Sequence, residues 1–330
     1  MTPVITGALL RWYRKNKRPL PWRRSRDPYR VWVSEIMLQQ TQIATVIPYY
    51  ERFLKRFPTV QALARAPLQD VLKRWEGLGY YARARNLHAA AKLIRRWPRT
   101  AAEWRELPGV GEYTAAAIAS ICFDEPAPVW DGNVRRVVAR LLGKEATMPS
   151  EWMSKDAPGD FNQAIMELGQ TVCTPRNPAC AECPVRKPCV AYKKGIVDRL
   201  PAVKKSKAVP ELTIGIGVVR KNGRILIQQR AHDGMLGGLW EFPGGKRQAG
   251  EKMEQCVRRE VREETGLRVD VGRRIAVVKH RYSHLAVELH AYDCAVKSGT
   301  LRPGARKWVK PAELRRFPFP AANVRIIQSL

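Results

Sequence analysis

The sequence predicts two domains of different class: an all-α domain over residues 1–190, and a smaller α+β domain over residues 212–330. Three observations predict this. A chain of 330 residues is long enough to bury two separate cores. The apolar period changes along it. In VWVSEIMLQQTQIATVI, Trp32, Ile36, Ile43 and Ile47 keep helical spacing, whereas TIGIGVV and RILIQQR are β-like runs around the tight-turn sequence Lys221-Asn222-Gly223. Between the two textures lies AYKKGIVDRLPAVKKSKAVPE, residues 191–211, basic, proline-bearing and without clear periodicity, which reads as a linker.

Within the first half, PLPW, GLGY, LPGVG and WDGN punctuate helical stretches such as AAAKLIRRW and YTAAAIASICF. Within the second, a helix is expected near 253–265 and strands near 275–279 and 285–296. The formal charge is +29, and both halves carry a net positive excess, so both are expected to face the same polyanion. Nucleic acid is the first candidate, an anionic membrane the second, and a basic surface serving only solubility the bland alternative. No apolar run reaches the length of a membrane span and the N-terminus lacks the order of a signal peptide, so an intracellular protein is expected, cytoplasmic and DNA-associated.

Of seven cysteines, four crowd into CTPRNPACAECPVRKPC: Cys173, Cys180, Cys183 and Cys189, spaced C-x(6)-C-x(2)-C-x(5)-C. Four thiolates so close can surround one compact centre, and soft sulfur donors favour an iron–sulfur cluster or zinc. Zinc sites more often show two close pairs; here one pair has two longer arms. The spacing resembles the [4Fe-4S] loop of the endonuclease III/MutY glycosylase superfamily, in which the cluster would brace a basic loop carrying Arg176, Arg186 and Lys187. The isolated Cys122, Cys256 and Cys294 read as packing residues.

LPGVGEYTAAAIAS, residues 107–120, is a helix-hairpin-helix pattern in which Gly109 and Gly111 allow a tight turn and the next helix start offers amides to a phosphate. Downstream, VWDGNVRRV puts Asp131 at a glycine-assisted turn. Upstream, Glu35 lies one helical turn from Trp32 and Leu38, and apolar surroundings favour a protonated carboxyl that can act as an acid. Breaking a base–sugar bond needs such a pair, an acid for the leaving base and a carboxylate for the oxocarbenium-like sugar. Spacing alone does not pair two residues 96 positions apart. A helix-surface Glu and a helix-capping Asp are equally compatible with it.

LPWR, DPYRVWVSEIMLQQTQ, GLGYYARARNLHAAA, LPGVGEYTAAAI, VWDGNVRRV, FNQAIMELG and the cysteine run, taken in order, resemble a MutY-type adenine DNA glycosylase over residues 11–189. The resemblance implies Glu35 as the acid acting at N7 of adenine, Asp131 as stabiliser of the sugar cation and Asn133 as its support. It implies Arg23 and Gln163 as residues holding the extruded adenine, and Gln40 and Tyr80 as side chains entering the duplex. Tyr113 stands where bifunctional relatives carry a Schiff-base lysine, so base excision without strong strand cleavage is expected. The segment 140–161 is shorter than in that family, as though a helix were missing, which puts packing and DNA contacts there in doubt.

GGKRQAGEKMEQCVRREVREETGL, residues 244–267, fits the full Nudix pattern through Gly245, Glu251, Arg259, Glu260, Glu263, Glu264 and Gly266. Glu260, Glu263 and Glu264 at i, i+3 and i+4 share a helix face, where Mg²⁺ would relieve their repulsion. MLGGLWEFPGGK is similar to the MutT hydrolases, whereas HRYSHLAVEL resembles the Phe-Ser-His loop with which MutY-type enzymes read 8-oxoguanine, with Tyr282, Ser283 and His284 in those places. The expectation is therefore a monomeric enzyme excising adenine opposite 8-oxoguanine in double-stranded DNA, with replication or repair proteins as further partners. Mg-dependent hydrolysis of 8-oxo-dGTP-like nucleotides is the alternative use of residues 244–267. A damage-binding scaffold and pyrimidine excision of the endonuclease III kind are the remaining rivals.

Overall fold

The computed structural model describes residues 2–202, 209–231, 234–282 and 285–330. The chain forms two compact units, one of residues 1–65 with 86–205 and the other of residues 66–85 with 206–330.

The chain runs through α1 (Thr2–Asn16), α2 (Pro28–Leu38), α3 (Ile43–Arg56), α4 (Val60–Arg65), α5 (Leu68–Trp75) and α6 (Ala82–Leu93). It continues through α7 (Ala101–Arg105), α8 (Glu112–Phe123), α9 (Gly132–Leu142), α10 (Pro158–Thr171) and α11 (Val190–Lys193). All but α5 and the first turn of α6 lie in the first unit. Local chemistry starts these helices where it is needed. Asp27 caps α2, accepting from the Arg30 N–H at 2.8 Å, and Pro28 takes the first position, where a missing N–H costs nothing. Thr100 and Glu103 form a reciprocal capping box on α7. Helix α8 is apolar nearly all round, with every residue from Thr114 to Ile121 buried, and so becomes the central helix, packed against α2, α7 and α10. Trp32, Phe53, Phe57, Trp104 and Phe161 complete this core.

The hairpin between α7 and α8 uses its glycines unequally. Gly109 has φ +77°, and a Cβ there would meet the Asn86 side chain at 2.6 Å. Gly111 is the extended N-cap of α8, with open space where a Cβ would sit, so it adopts no conformation special to glycine. The stretch read as a linker is partly regular. It carries α11 and a 3₁₀ turn at Val197–Arg199.

The second unit is built on a mixed sheet. Its strands are β1 (Glu211–Lys221), β2 (Arg224–Gln229), β3 (Trp240–Glu241), β4 (Gly244–Lys246), β5 (Arg268–Arg281), β6 (Ala286–Ser298) and β7 (Arg306–Val309). They are ordered β3-β2-β1-β6-β5, with β4 on β1 and β7 on β2. Among the described residues, only β1 and β6 run parallel; the other pairs are antiparallel. Asn222 and Gly223, both at positive φ, make the tight β1–β2 turn expected of that dipeptide. Strand alternation sends Val219, Leu226 and Cys294 to one face, under α12 (Met253–Thr265). It sends Val218, Ile227 and Leu289 to the other, under Phe319 and α13 (Ala321–Ile327). Helix α12 falls where the sequence placed a helix, while β5 and β6 are longer than the β-like runs suggested. Among the described residues, no helix is long and apolar enough to cross a membrane.

Candidate active site and its supporting centres

The first unit holds a cavity of about 760 Å³, into which α2, α8, α9 and α10 bring Glu35, Tyr113, Asp131, Asn133 and Gln163; Arg23 and Gln40 line it too. Two carboxylates 96 residues apart in sequence thus share one hollow.

Glu35 is 6% exposed, and its Oε2 has no hydrogen-bond partner. Burial pushes its carboxyl up to about 7; the neighbouring Tyr113 phenol and Arg23 hold it down in part, and Asp131 adds to the rise. The Tyr113 hydroxyl donates to the Met166 Sδ at 2.9 Å and lies within hydrogen-bonding reach of the Glu35 carboxyl as well. Burial and the two nearby negative charges raise the phenol well above its ordinary value, so it stays neutral.

Asp131 is the N-cap of α9. Its Oδ1 accepts from the Asn133 and Val134 amides at 2.9 and 2.7 Å, and its Oδ2 from Asn133 Nδ2 at 3.0 Å. Three N–H donors and the positive end of α9 therefore hold this side chain facing the cavity. Asn133 is held in turn. Its Oδ1 accepts from Arg136 Nη2 at 2.9 Å, and the same guanidinium donates to the carbonyls of Gly169 at 2.6 Å and Cys173 at 2.8 Å.

Arg23 is engaged inside the protein: its Nη2 donates to Glu167 at 2.8 Å, and Arg18 grips the same carboxylate at 2.6 and 2.8 Å. These two guanidiniums outweigh burial and bring Glu167 down to about 2. Sequence reasoning missed Glu167, Arg136 and Met166. Glu167 and Met166 lie in FNQAIMELG, and Glu167 follows Gln163 by one helical turn, a signal that a buried acid was due a basic partner.

Gln40 is exposed, at φ 55°, on the cavity rim. Tyr80 belongs to the second compact unit, 41% exposed and at φ 47°.

Cys173, Cys180, Cys183 and Cys189 line a single hollow with Arg140. Arg140 Nη1 donates to Cys173 Sγ at 3.4 Å and to the Thr174 carbonyl at 2.7 Å, while Nη2 reaches the Pro175 carbonyl at 3.2 Å. Burial first, and the neighbouring thiols after it, push the Cys183 thiol up to about 12, so four bare thiolates would be unfavourable here without positive metal. Among the described residues no three His, Cys, Asp or Glu side chains close on one ion. A four-iron cluster asks for less, because each thiolate binds a different iron.

In the second unit, the carboxylates of the Nudix pattern have partners within the protein. Arg259 takes Glu251 with Nε and Nη2 at 2.9 and 3.0 Å, Glu260 at 2.8 Å and Glu263 at 3.1 Å. Glu264 accepts from Gln228 Nε2 at 2.7 Å and from the Gly244 amide at 2.9 Å; burial raises its carboxyl. A Cβ on Gly245 would stand 2.3 Å from the Glu260 carboxylate, which explains the glycine at that place in the pattern. Tyr282, at the end of β5, meets His280 edge-on at 4.5 Å between ring centres. Ser283 and His284 lie outside the described residues. A hollow of about 300 Å³, lined by Thr213, Lys279, His280, Arg281 and Glu288, opens beside this end of the sheet. Cys256 and Cys294 are buried packing residues.

Comparison with known proteins finds two families in succession along the chain. Residues 33–157 match the family described as HhH-GPD superfamily base excision DNA repair protein, and residues 215–329 match the NUDIX domain. An adenine DNA glycosylase of Rattus norvegicus is 36% identical, with 97% of this chain and 76% of that protein covered. The adenine DNA glycosylase of Homo sapiens is also 36% identical, over 98% of this chain and 73% of its own length. A solved structure of a thermostable thymine-DNA glycosylase, 28% identical, covers 58% of this chain and 97% of that one, with a TM-score of 0.55. With an excision domain of the helix-hairpin-helix class followed by a Nudix-like domain, the chain belongs to the adenine DNA glycosylase family.

Proposed function

We propose that this DNA glycosylase excises adenine paired with 8-oxoguanine, with Glu35 as the acid and Asp131 as the carboxylate facing the sugar. The observation that carries this reading is the pairing of a buried Glu35, whose Oε2 has no hydrogen-bond partner, with a triply held Asp131 in one cavity. A carboxyl raised to about 7 holds its proton near neutral pH and can pass it to N7 of the leaving adenine. As the glycosidic bond breaks, positive charge develops on the sugar, and Asp131, fixed before the reaction, meets it without reorganising. Asn133 supports Asp131, with Arg136 behind it. Gln163 lines the adenine space, and the family role of Arg23 in holding the base is here that of a clamp made with Glu167. Tyr113, a neutral buried phenol, has no amine with which to form an imine, which supports hydrolysis without strand cleavage.

The four clustered thiols suit a [4Fe-4S] centre, held by Cys173, Cys180, Cys183 and Cys189, which when bound supplies four iron–sulfur bonds that tie the loop together. Arg140 and Arg136 then connect the loop's backbone to α9. Gln40 and Tyr80 enter the duplex, while Gly109 and the start of α8 hold a phosphate.

The second unit reads the 8-oxoguanine partner through Tyr282, Ser283 and His284; the end of β5 that leads to them edges a hollow through Lys279 and Arg281. Arg259 pairs with Glu251, Glu260 and Glu263, so a Mg²⁺ bound for hydrolysis would share these carboxylates with a guanidinium. The test is single-turnover adenine release from duplexes carrying A opposite 8-oxoguanine or A opposite G. Faster release from the first is expected, and equal rates would refute the lesion reading. Pyrophosphate release from 8-oxo-dGTP with Mg²⁺ that Glu263→Gln abolishes would establish the hydrolase alternative.

A further inference from the structure

Residues 66–85 lie in sequence between helices of the first unit, yet they belong to the second compact unit. A set of hydrogen bonds joins them to it. Gln69 donates from Nε2 to the Gly238 carbonyl at 3.0 Å and accepts at Oε1 from Trp240 Nε1 at 2.9 Å. Glu76 Oε1 accepts from the Phe319 amide at 2.8 Å; Lys73, paired with Glu76, donates to the Phe317 carbonyl at 3.1 Å. Arg85 donates to the Gly237 carbonyl at 2.8 Å, and the Tyr81 hydroxyl accepts from the Gly77 amide at 3.1 Å while reaching the Phe319 carbonyl at 3.4 Å. Phe317 and Phe319 are fixed in turn against Trp240 and Phe242, with ring centres 5.1 and 5.7 Å apart.

These anchors bracket one turn. Gly77, Gly79 and Tyr80 all have positive φ, at 96°, 77° and 47°. A tyrosine persists there only where its surroundings over-determine it. Arg83 does so: it donates to the Leu78 and Gly79 carbonyls at 3.3 and 3.1 Å and lies 5.4 Å from the centres of both the Trp75 and Tyr80 rings. Trp75 Nε1 adds a bond to the Gly79 carbonyl at 3.1 Å.

We propose that Gln69 and Glu76 are positioning residues which fasten the Tyr80 turn to the C-terminal sheet, so that the unit reading the lesion also aims the side chain that enters the duplex. The proposal rests on the reading of Tyr80 as a duplex-entering residue. Displacing a positioned group by about 1 Å can cost up to about 100-fold in rate, and loss of one anchor out of several is expected to cost about tenfold.

The experiment uses the full chain and a duplex with A opposite 8-oxoguanine, measuring single-turnover adenine release and the fluorescence of a 2-aminopurine placed beside the adenine. Glu76→Ala and Gln69→Leu should each slow release about tenfold and lower the unstacking signal. Glu76→Gln, which keeps an acceptor for the Phe319 amide, should restore most of both. Tyr80→Ala should be slow by itself, and adding Glu76→Ala to it should change nothing further. Should Gln69→Leu fail to unfold cooperatively, Lys73→Met removes the bond to Phe317 in its place. Parent-like release by the anchor variants beside a slow Tyr80→Ala overturns the proposal, as does an additive double variant. Parent-like release by Tyr80→Ala removes the duplex-entering role itself, and the anchor falls with it.

Discussion

The two units each gather carboxylates, and they treat them in opposite ways. In the first, Glu35 is buried with one oxygen unpaired and its carboxyl is raised to about 7. In the second, Arg259 alone engages Glu251, Glu260 and Glu263, and the Gly244 amide and Gln228 take Glu264. An unpaired buried acid is costly to stability and useful to chemistry; a satisfied cluster is the reverse. The difference teaches that the same residue type can be held by burial in one place and by pairing in another.

The sharpest way to break the comparison is Glu35→Gln. Adenine release should fall by about 10³-fold or more, since a positioned acid contributes on the order of 10²–10⁴, while the protein becomes more stable at neutral pH. The sign follows from the raised carboxyl. Relative to the unfolded chain, Glu35 costs nothing below its ordinary value of 4.5, and its penalty grows as pH rises towards about 7. Thermal unfolding at pH 8 should favour the variant by roughly 2–3 kcal/mol, and the gap should close at pH 4. A variant no more stable than its parent at pH 8 would mean that Glu35 is not strained in the way its burial indicates.

Asp131→Asn comes next. It keeps an oxygen for the Asn133 and Val134 amides but loses the charge, so release should drop about 10²-fold with little change in unfolding midpoint. A large loss of stability instead would make Asp131 chiefly a helix cap. The pH dependence is smaller but more diagnostic. Release limited by protonated Glu35 should decline as pH rises through about 7, roughly tenfold per pH unit beyond it. A profile flat from pH 6 to 9 would remove Glu35 as the acid. Smallest is Gly245→Ala, whose Cβ displaces the Glu260 carboxylate from Arg259. Unfolding should register a cost of about 0.5–1 kcal/mol, as for a partly exposed ion pair.

Much of this was legible in the sequence because local rules govern it. The Asn222-Gly223 turn, helix α12 and the burial of Glu35 beside Trp32 all follow from a few neighbouring residues. The partnership of Glu35 with Asp131 was not legible from spacing, because helix packing sets it and no local signal encodes it. The Arg18–Glu167–Arg23 clamp was hidden for the same reason: an acid near the end of one helix gives no hint of which distant arginines it will meet. Gly111 shows the opposite error, a glycine credited with conformational freedom it does not use. The membership of α5 was least legible of all. Val71, Leu72 and Trp75 announce that one face of the helix is buried, and nothing in that pattern says against what.

That last feature has a consequence in time. Lys73 and Phe317 are 244 positions apart, and Glu76 and Phe319 are 243 apart. A ribosome adding roughly 5–20 residues per second finishes residues 66–85 on the order of ten to fifty seconds before their partners exist. The helical half can emerge and begin to pack while this one internal segment still lacks the hydrogen bonds that complete it. The second unit therefore cannot be closed until Phe317 and Phe319 have been made, and a cleavage between residues 85 and 317 would leave residues 66–85 without the hydrogen bonds that complete them.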